Sequence, residues 1–475
     1  PGNAVLVSPR IGFNYDVMGD RTLQLRGGFG IFSGPPPFVW LSNQASNNGI
    51  QWGSFTKTTG VAFSADPNAY RPAAASANTS YSVALTDKNF KYPSVLKGSL
   101  AVDKKINDWV FTVEGTYTKD VNAVYFSNIN LNETNAYALN NGGDNRMRYN
   151  TSLTTSLNTS NRYYADGSSL SSPNIGNAIL MKNNNKGYTY NVIARIERTF
   201  GNLYTSVAYS HGDARNTSET GSTASSMWSA RAVSGDPNAG SLGYASYRLP
   251  NRVIAMASYK VSYAKYFSTS FGAIFEAAPA GTVSYIYNGD LNGDGFNNDL
   301  IYIPKSATDI NLINVGSYNA TTHTGSTTGT TADPRTSSQM YTQLDNFINQ
   351  NKYLAFHRGE TAKANAAVLP YYKKLDVNIT EDISVKTGKD RHTLRLSLDI
   401  INVGNFLNRN WGIVQAATVN NFLKFEGLAN DGKTPLFSFP YADSKNQVPY
   451  VNSYANNTAL LSRWQMQFGI RYLFN

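Results

Sequence analysis

The densest set of ligand-type side chains in this sequence is Asp290-x-Asn292-x-Asp294-Gly295-x-x-Asn298-Asp299. Oxygen side chains at the first, third and fifth positions, with glycine at the sixth for a sharp turn, suit a hard cation such as Ca²⁺. Ile301 stands where the bidentate Glu of a calcium loop would be, which makes Asp299 the candidate closing carboxylate. The chemistry expected is structural: one Ca²⁺ stiffening a loop, against the alternative of an Asn/Gly/Asp-rich turn without metal. No organic cofactor is expected. The histidines, His211, His323, His357 and His392, lie in different segments and form no zinc-type spacing. His357 beside Arg358 and Glu360 reads as a polar cluster at a rim. Serines are so numerous that a Ser-His-Asp set can be drawn almost anywhere, so it has no weight and no enzyme is expected.

A second group of charges lies inside stretches of strand pattern: Glu114, Arg195, Glu197, Arg395, Asp399 and Arg471, each next to apolar residues. On a lipid-facing surface near the bilayer midplane a charge costs about 2–4 kcal/mol. These six are therefore expected to point into a lumen, pairing with one another or touching a plug or a solute. Tyr188, Tyr190, Tyr259, Tyr263, Tyr266 and Tyr287 read as interfacial anchors near strand ends. Trp40, Trp52 and Trp228 lie in long connecting segments, where solute contact is the sharper reading.

The elements that must position these residues are strands. From Trp464 to Phe474 every even position is large and apolar, while the odd ones are Gln465, Gln467, Gly469, Arg471 and Leu473. Successive strand side chains point to opposite faces, so one face suits lipid and the other water. Trp464, Phe468, Tyr472 and Phe474 are the candidate signal for insertion, with the final aromatic one place before Asn475. Short turns join Ala4–Val17 to Arg21–Ser33, Tyr92–Lys104 to Trp109–Asn128, and Tyr188–Thr199 to Leu203–Ala214. They also join Tyr247–Lys265 to Thr269–Tyr287, and the strand at Leu375–Ile379 to that at Leu394–Ile400. Between these pairs run polar segments far beyond ordinary loop length.

Strict alternation of short turns and long loops is the rhythm of an outer-membrane barrel, with short periplasmic turns and long extracellular loops. The fold class expected is all-β: an antiparallel transmembrane β-barrel with eleven strands in this chain. A sandwich spreads its loop lengths over both ends, and a propeller would repeat at a fixed period. Composition agrees, with 15% charged residues, 13% aromatic, and 31 Tyr against 6 Trp. Soluble domains carry about 25% charge. The net charge of +10 is scattered without basic blocks, so nucleic acid is not an expected partner. The absence of cysteine excludes disulfides and thiolate metal sites. No apolar run is long enough for a transmembrane helix.

Single-chain barrels hold an even number of strands, with both termini in the periplasm. Eleven strands then imply an odd number before Pro1. Residues 1–475 are expected to be the C-terminal part of one barrel domain, with no leader peptide of their own.

Several stretches resemble TonB-dependent outer-membrane transporters, in particular the Oar-like group of Bacteroidota, over nearly the whole chain. Ser8-Pro9-Arg10-Ile11-Gly12-Phe13-Asn14-Tyr15-Asp16, followed by Leu25-Arg26-Gly27-Gly28-Phe29-Gly30, is similar to a mid-barrel hairpin of that group. Tyr92-Pro93-Ser94-Val95-Leu96 and Val113-Glu114-Gly115-Thr116-Tyr117 resemble its next hairpin. The more specific stretches are Asp290–Gly295 with Asn298–Pro304, then Tyr353-Leu354 with His357–Glu360. Asn402 with Asn405-Phe406-Leu407-Asn408-Arg409-Asn410-Trp411-Gly412 completes the set.

The resemblance implies a barrel of about 22 strands, of which this chain is the C-terminal half, plugged by an N-terminal domain and energised through TonB. It implies uptake of a large solute (peptide, glycan or chelate) captured by the extracellular loops. Expected partners are outer-membrane lipid, the TonB complex through the N-terminal part, the barrel assembly machinery, and a surface lipoprotein or secreted protein. The location implied is the outer membrane of a Gram-negative bacterium. The alternative is an adhesin, or a secretion or assembly component, that uses the barrel to display its loops.

Overall fold

A computed structural model describes residues 6–48, 58–71, 80–155, 174–219, 221–314, 319 and 321–474. Eleven strands form one continuous antiparallel sheet in chain order. They are β1 (Arg10–Asp16), β2 (Leu23–Ser33), β3 (Ser94–Ile106), β4 (Trp109–Asp120), β5 (Tyr188–Phe200) and β6 (Leu203–Asn216). Then follow β7 (Asn251–Tyr263), β8 (Phe267–Pro279), β9 (Tyr371–Thr387), β10 (Asp390–Ile401) and β11 (Gln465–Phe474). A two-residue strand, Gly243–Tyr244, extends β6 at one end. β1 and β11 are the edges and are not paired with each other.

The short connections work because their residues tolerate left-handed backbone. Asn107 (φ 53°), Gly201 (φ 57°) and Gly388 (φ 65°) turn three of the hairpins. Ala264 (φ 48°) and Lys265 (φ 63°) turn a fourth, with no glycine to relieve them. In the first hairpin both Asp16 carboxylate oxygens hold the turn, accepting from Gly19 N at 3.0 Å and Arg21 N at 2.8 Å.

Register carries the alternation of one strand across the sheet. Ile11 lies opposite Phe29, Val102 opposite Val113, Phe271 opposite Ile379, and Leu398 opposite Phe468. These residues share one face and most are well exposed. Among the described residues, the buried apolar side chains on the eleven strands are small: Ala101, Ala214, Ala278 and the strand-ending Pro279. A continuous apolar face of this extent would drive association in water, whereas it is what a lipid-facing sheet requires.

The apolar core is elsewhere, in the long connections. One cluster gathers, among others, Tyr285, Tyr287, Leu291, Ile301, Phe347, Phe422 and Phe437, these seven at or below 1% exposure. A second gathers Phe126, Leu131, Ile179, Met181 and Trp228. Helices α1 (Ala224–Ser229) and α2 (Ser337–Gln350) bury one side each in these clusters, and both begin with a Thr capping box. Small sheets complete the layer: Ser80–Thr86 with Asn174–Asn184 and Ala123–Asn128, and Tyr287–Asn288 with Leu423–Leu428 and Pro435–Ser438.

Three expectations are corrected here. The strand expected over Trp109–Asn128 ends at Asp120; Ala123–Asn128 leaves the main sheet and pairs in the loop layer. The strand expected over Thr269–Tyr287 ends at Pro279. Tyr287 is therefore no interfacial anchor; it is fully buried, stacked on Phe437 at 4.9 Å. In both strands the alternation runs on past the membrane-type segment, because the loop layer uses strands as well. Part of Ala4–Val17, Trp52 and Asn475 lie outside the described residues.

Candidate functional site

Two places gather the charged residues: the polar face of the main sheet and the loop layer above it. Register puts Glu114, Arg195, Glu197, Arg395, Asp399 and Arg471 all on the face opposite the exposed apolar one. Glu114 lies across from Ala101 and Ile193, Arg195 from Ala208, Asp399 from Asn378, and Arg395 from Arg471. Arg26, not singled out from the sequence, bridges Asp103 at 2.8 Å and Glu114 at 3.0 Å. Arg195 meets Glu197 at 3.5 Å, Tyr204 donates to Glu197 at 2.9 Å, and Arg395 grips Asp382 at 2.6 Å with a second bond at 2.8 Å. Asp399 accepts from Asn378 Nδ2 at 2.6 Å. Of the missed partners, Arg26 sits between Leu25 and Gly27, whereas Asp103 adjoins Lys104 and Asp382 adjoins Glu381, so neither acid stands out as a lone charge in an apolar run.

Of the residues in the candidate insertion signal, Phe468, Tyr472 and Phe474 share the apolar face of β11. Trp464 precedes the strand and packs edge-on against Phe406 at 4.9 Å. Tyr259, Tyr263 and Tyr266 are exposed beside the Ala264–Lys265 turn, as interfacial anchors would be.

In the loop layer the acidic segment is wound on itself. Asp290 accepts from Gly293 N at 2.6 Å, Asp294 N at 3.2 Å and Gly295 N at 2.6 Å. Asp294 accepts from Asn292 Nδ2 at 3.0 Å and Phe296 N at 2.9 Å, and Asp299 from Leu291 N at 2.8 Å and Asn292 N at 3.0 Å. Asn298 donates to Ser229 O and Arg231 O, while its Oδ1 is buried with no donor. Arg146 donates to Asp299 Oδ1 at 3.0 Å and to Asp144 at 2.7 Å. Arg148 reaches the Leu291 carbonyl at 2.7 Å.

Burial, and then the neighbouring Asp299 carboxylate, push Asp290 up to about 7. Burial, with Asp290 and Asp299 beside it, raises Asp294 well above the usual carboxylate range. Burial also raises Asp299, against the opposing pull of Arg146. Among the described residues, no three Asp, Glu, His or Cys side chains are grouped to hold a metal ion. The loop is thus held by its own hydrogen bonds, with Asn298 Oδ1 as the buried oxygen left over.

The tryptophans are structural where they are described. Trp40 donates to Gly221 O at 3.0 Å and packs on Phe126; Trp228 donates to Asn238 Oδ1 at 3.1 Å and packs on Phe296. His357 is held by Tyr353 O at 2.8 Å, and the adjacent Arg358 pairs with Asp345 at 2.6 Å.

A sheet with an apolar outer face, a charged inner face and folded loops on one side is matched by a family over most of its length. The outer membrane beta barrel domain family covers residues 2–424. The chain belongs to that family. It is an outer-membrane protein. No curated protein matches the chain.

Among solved structures it is similar to the outer membrane transporter YddB from Escherichia coli, with 9% identity, 98% of this chain and 40% of that one covered, and a TM-score of 0.44. It is also similar to BauA, the ferric preacinetobactin receptor from Acinetobacter baumannii, with 8% identity, 98% and 36% covered, and a TM-score of 0.34. A point mutant of the ferric enterobactin receptor PfeA from Pseudomonas aeruginosa shows 8% identity, 98% and 39% covered, and a TM-score of 0.37. The chain thus spans about two fifths of the length of these proteins.

Proposed function

We propose that this chain is the barrel part of a TonB-dependent outer-membrane transporter or receptor, in which the loop layer captures a large solute outside the cell. The observation that carries the reading is the two-tier build. A polar inner face with a ladder of ion pairs suits a solvated lumen. Above it sits a loop layer with its own apolar core, which is rigid enough to present a binding surface. The resemblance of Asp290–Pro304, Tyr353–Glu360 and Asn402–Gly412 to the Oar-like group supplies the TonB-dependent part of the proposal. The barrel itself performs no covalent step.

The test is uptake by cells lacking the full protein, compared with the parent and with the parent depleted of TonB. Labelled oligopeptides, oligosaccharides and ferric chelates are offered in turn. Loss of uptake of one class in both strains is the expected result. Equal uptake of all three classes would overturn transport and leave the adhesin or secretion reading, scored by surface attachment and secreted protein.

Calcium in Asp290–Asp299 belongs to the same proposal. A divalent cation would offset the charge of the buried Asp290, Asp294 and Asp299, which now accept from backbone and amide donors and would have to regroup around it, with Asn298 Oδ1 as a further candidate oxygen. Metal analysis of the purified protein should find calcium that is absent from the doubly substituted D290A/D294A protein. Unchanged calcium content in that variant would sink the idea.

A further inference from the structure

The loop layer encloses a cavity of about 200 Å³ that involves none of the acidic-loop carboxylates. It lies between the strand Ala123–Asn128, α1, the outer end of β6 and residues 361–364. Tyr125, Trp228 and Tyr244 contribute aromatic wall, and Arg231 lines it as well. Arg231 is 7% exposed. Its Nη1 donates to the Asn216 carbonyl at 2.5 Å and to Asn216 Oδ1 at 3.0 Å, both neutral acceptors.

Two other buried arginines of the loop layer are held by carboxylates: Arg146 grips Asp144 and Asp299, and Arg335 grips Asp333 at 2.6 Å. Arg148, like Arg231, meets neutral acceptors, the carbonyls of Asp290, Leu291 and Ser152, but it does not line this cavity. Arg231 forms no ion pair among the described residues. The carboxylate whose charge reaches it is Glu219, and both oxygens of Glu219 are occupied, by Ser246 N, Ser246 Oγ and Asn365 Nδ2.

Gly243 shows how the guanidinium is seated, with Nη2 lying in the space a side chain there would fill. A Cβ at Gly243 would strike Arg231 Nη2, and Gly243 lines the same cavity. A buried arginine does not shed its proton, and an unpaired buried cation costs several kcal/mol. Donors of such a cation bordering a cavity are a site for an anion, and the planar fork favours a carboxylate or a phosphate. Arg215 and Lys363 line the cavity besides Arg231, and Asp236 offsets one of these charges, so the choice between the two anions rests on the aromatic wall of Tyr125, Trp228 and Tyr244. A planar monoanion with an apolar body fits both the charge and the aromatic wall.

We propose that this cavity binds the carboxylate of a small organic acid, or of an acidic group on a larger solute, with Arg231 as the gripping cation and Gly243 as the residue that gives its guanidinium room at the cavity wall. The inference gives the receptor reading a solute class, yet it is measured without transport, so either can fail alone.

The experiment is calorimetric titration of the full-length protein in detergent with sodium benzoate, against sodium phosphate at equal ionic strength. Benzoate should bind saturably with Kd on the order of millimolar, and phosphate more weakly. R231Q should weaken benzoate about tenfold or more, as expected for loss of a charge-assisted pair. G243V, which keeps the arginine but displaces its guanidinium from the cavity wall, should do the same. Compact migration on unheated gels and intact loops under protease confirm that both variants are folded. Benzoate affinity unchanged in the two variants, or no saturable benzoate binding by the parent, would overturn the proposal. Phosphate binding more tightly than benzoate would also overturn it, making the site one for phosphate.

Discussion

Arg146 and Arg26 make the same kind of contact, a guanidinium bridging two carboxylates, in opposite surroundings. The Arg146 side chain is 1% exposed and its partners Asp144 and Asp299 are 4% and 0% exposed, whereas Arg26 is 41% exposed on the inner face of the sheet. Removing one partner of a buried pair leaves uncompensated charge and costs about 3–5 kcal/mol. A solvated pair is worth about 0–1 kcal/mol. R146A should therefore loosen the loop layer by about 3–5 kcal/mol, read as the urea concentration at which proteases begin to cut residues 130–155 and 290–305. R26A should lower the unfolding free energy of the barrel by less than about 1 kcal/mol. Comparable losses in the two variants would mean that burial does not set the scale of these contacts.

At the scale of elements, strand faces and turns carry most of the explanation. Leu100 and Ser99 are neighbours near the middle of β3 on opposite faces: Leu100 lies beside Gly27 and Gly115, Ser99 beside Gly28 and Thr116. L100R should cost about 2–4 kcal/mol, and S99R far less, because only the first places the charge in lipid. Folding yield into lipid vesicles reads the difference, and equal yields would contradict the assignment of faces.

The turn between β7 and β8 gives a second prediction. Ala264 is exposed with φ 48°, a conformation that costs an L-residue about 1–2 kcal/mol. A264G should stabilise the protein by up to about 1 kcal/mol, read as a higher urea midpoint, since no side-chain contact is lost. The expected strand Tyr247–Lys265 runs two residues past the observed end at Tyr263, because Ala264 and Lys265 are not typical turn residues. Strand faces were legible in the sequence because alternation is local. The loop layer was not. Arg146 meets Asp299 across 153 positions, and Tyr287 pairs in parallel with Leu423. Such contacts join segments that each read alone as polar loop, and Tyr287 looked like an interfacial anchor for the same reason.

The whole molecule is two structures with opposite logic on one chain. The sheet turns its apolar residues outward and is stabilised by lipid and ladder hydrogen bonds, while the loop layer turns its apolar residues inward as a water-soluble domain does. Because the buried large side chains are concentrated in the loop layer, the two tiers should lose structure separately. Phe347 tests this. It is fully buried and its ring lies 4.9 Å from Phe422, with Phe439 and Tyr450 at 6.1 Å. Phe347 comes from α2 and its partners from the connection between β10 and β11, so it joins two long loops. F347A should cost about 3–5 kcal/mol in that core. Both connections should then become cleavable by protease together, while the strands stay protected and the unheated protein keeps its compact migration. Cleavage confined to residues 337–356 would mean that the loops fold one by one. Loss of compact migration would mean that the barrel depends on the loop core, and the two-tier description would fail.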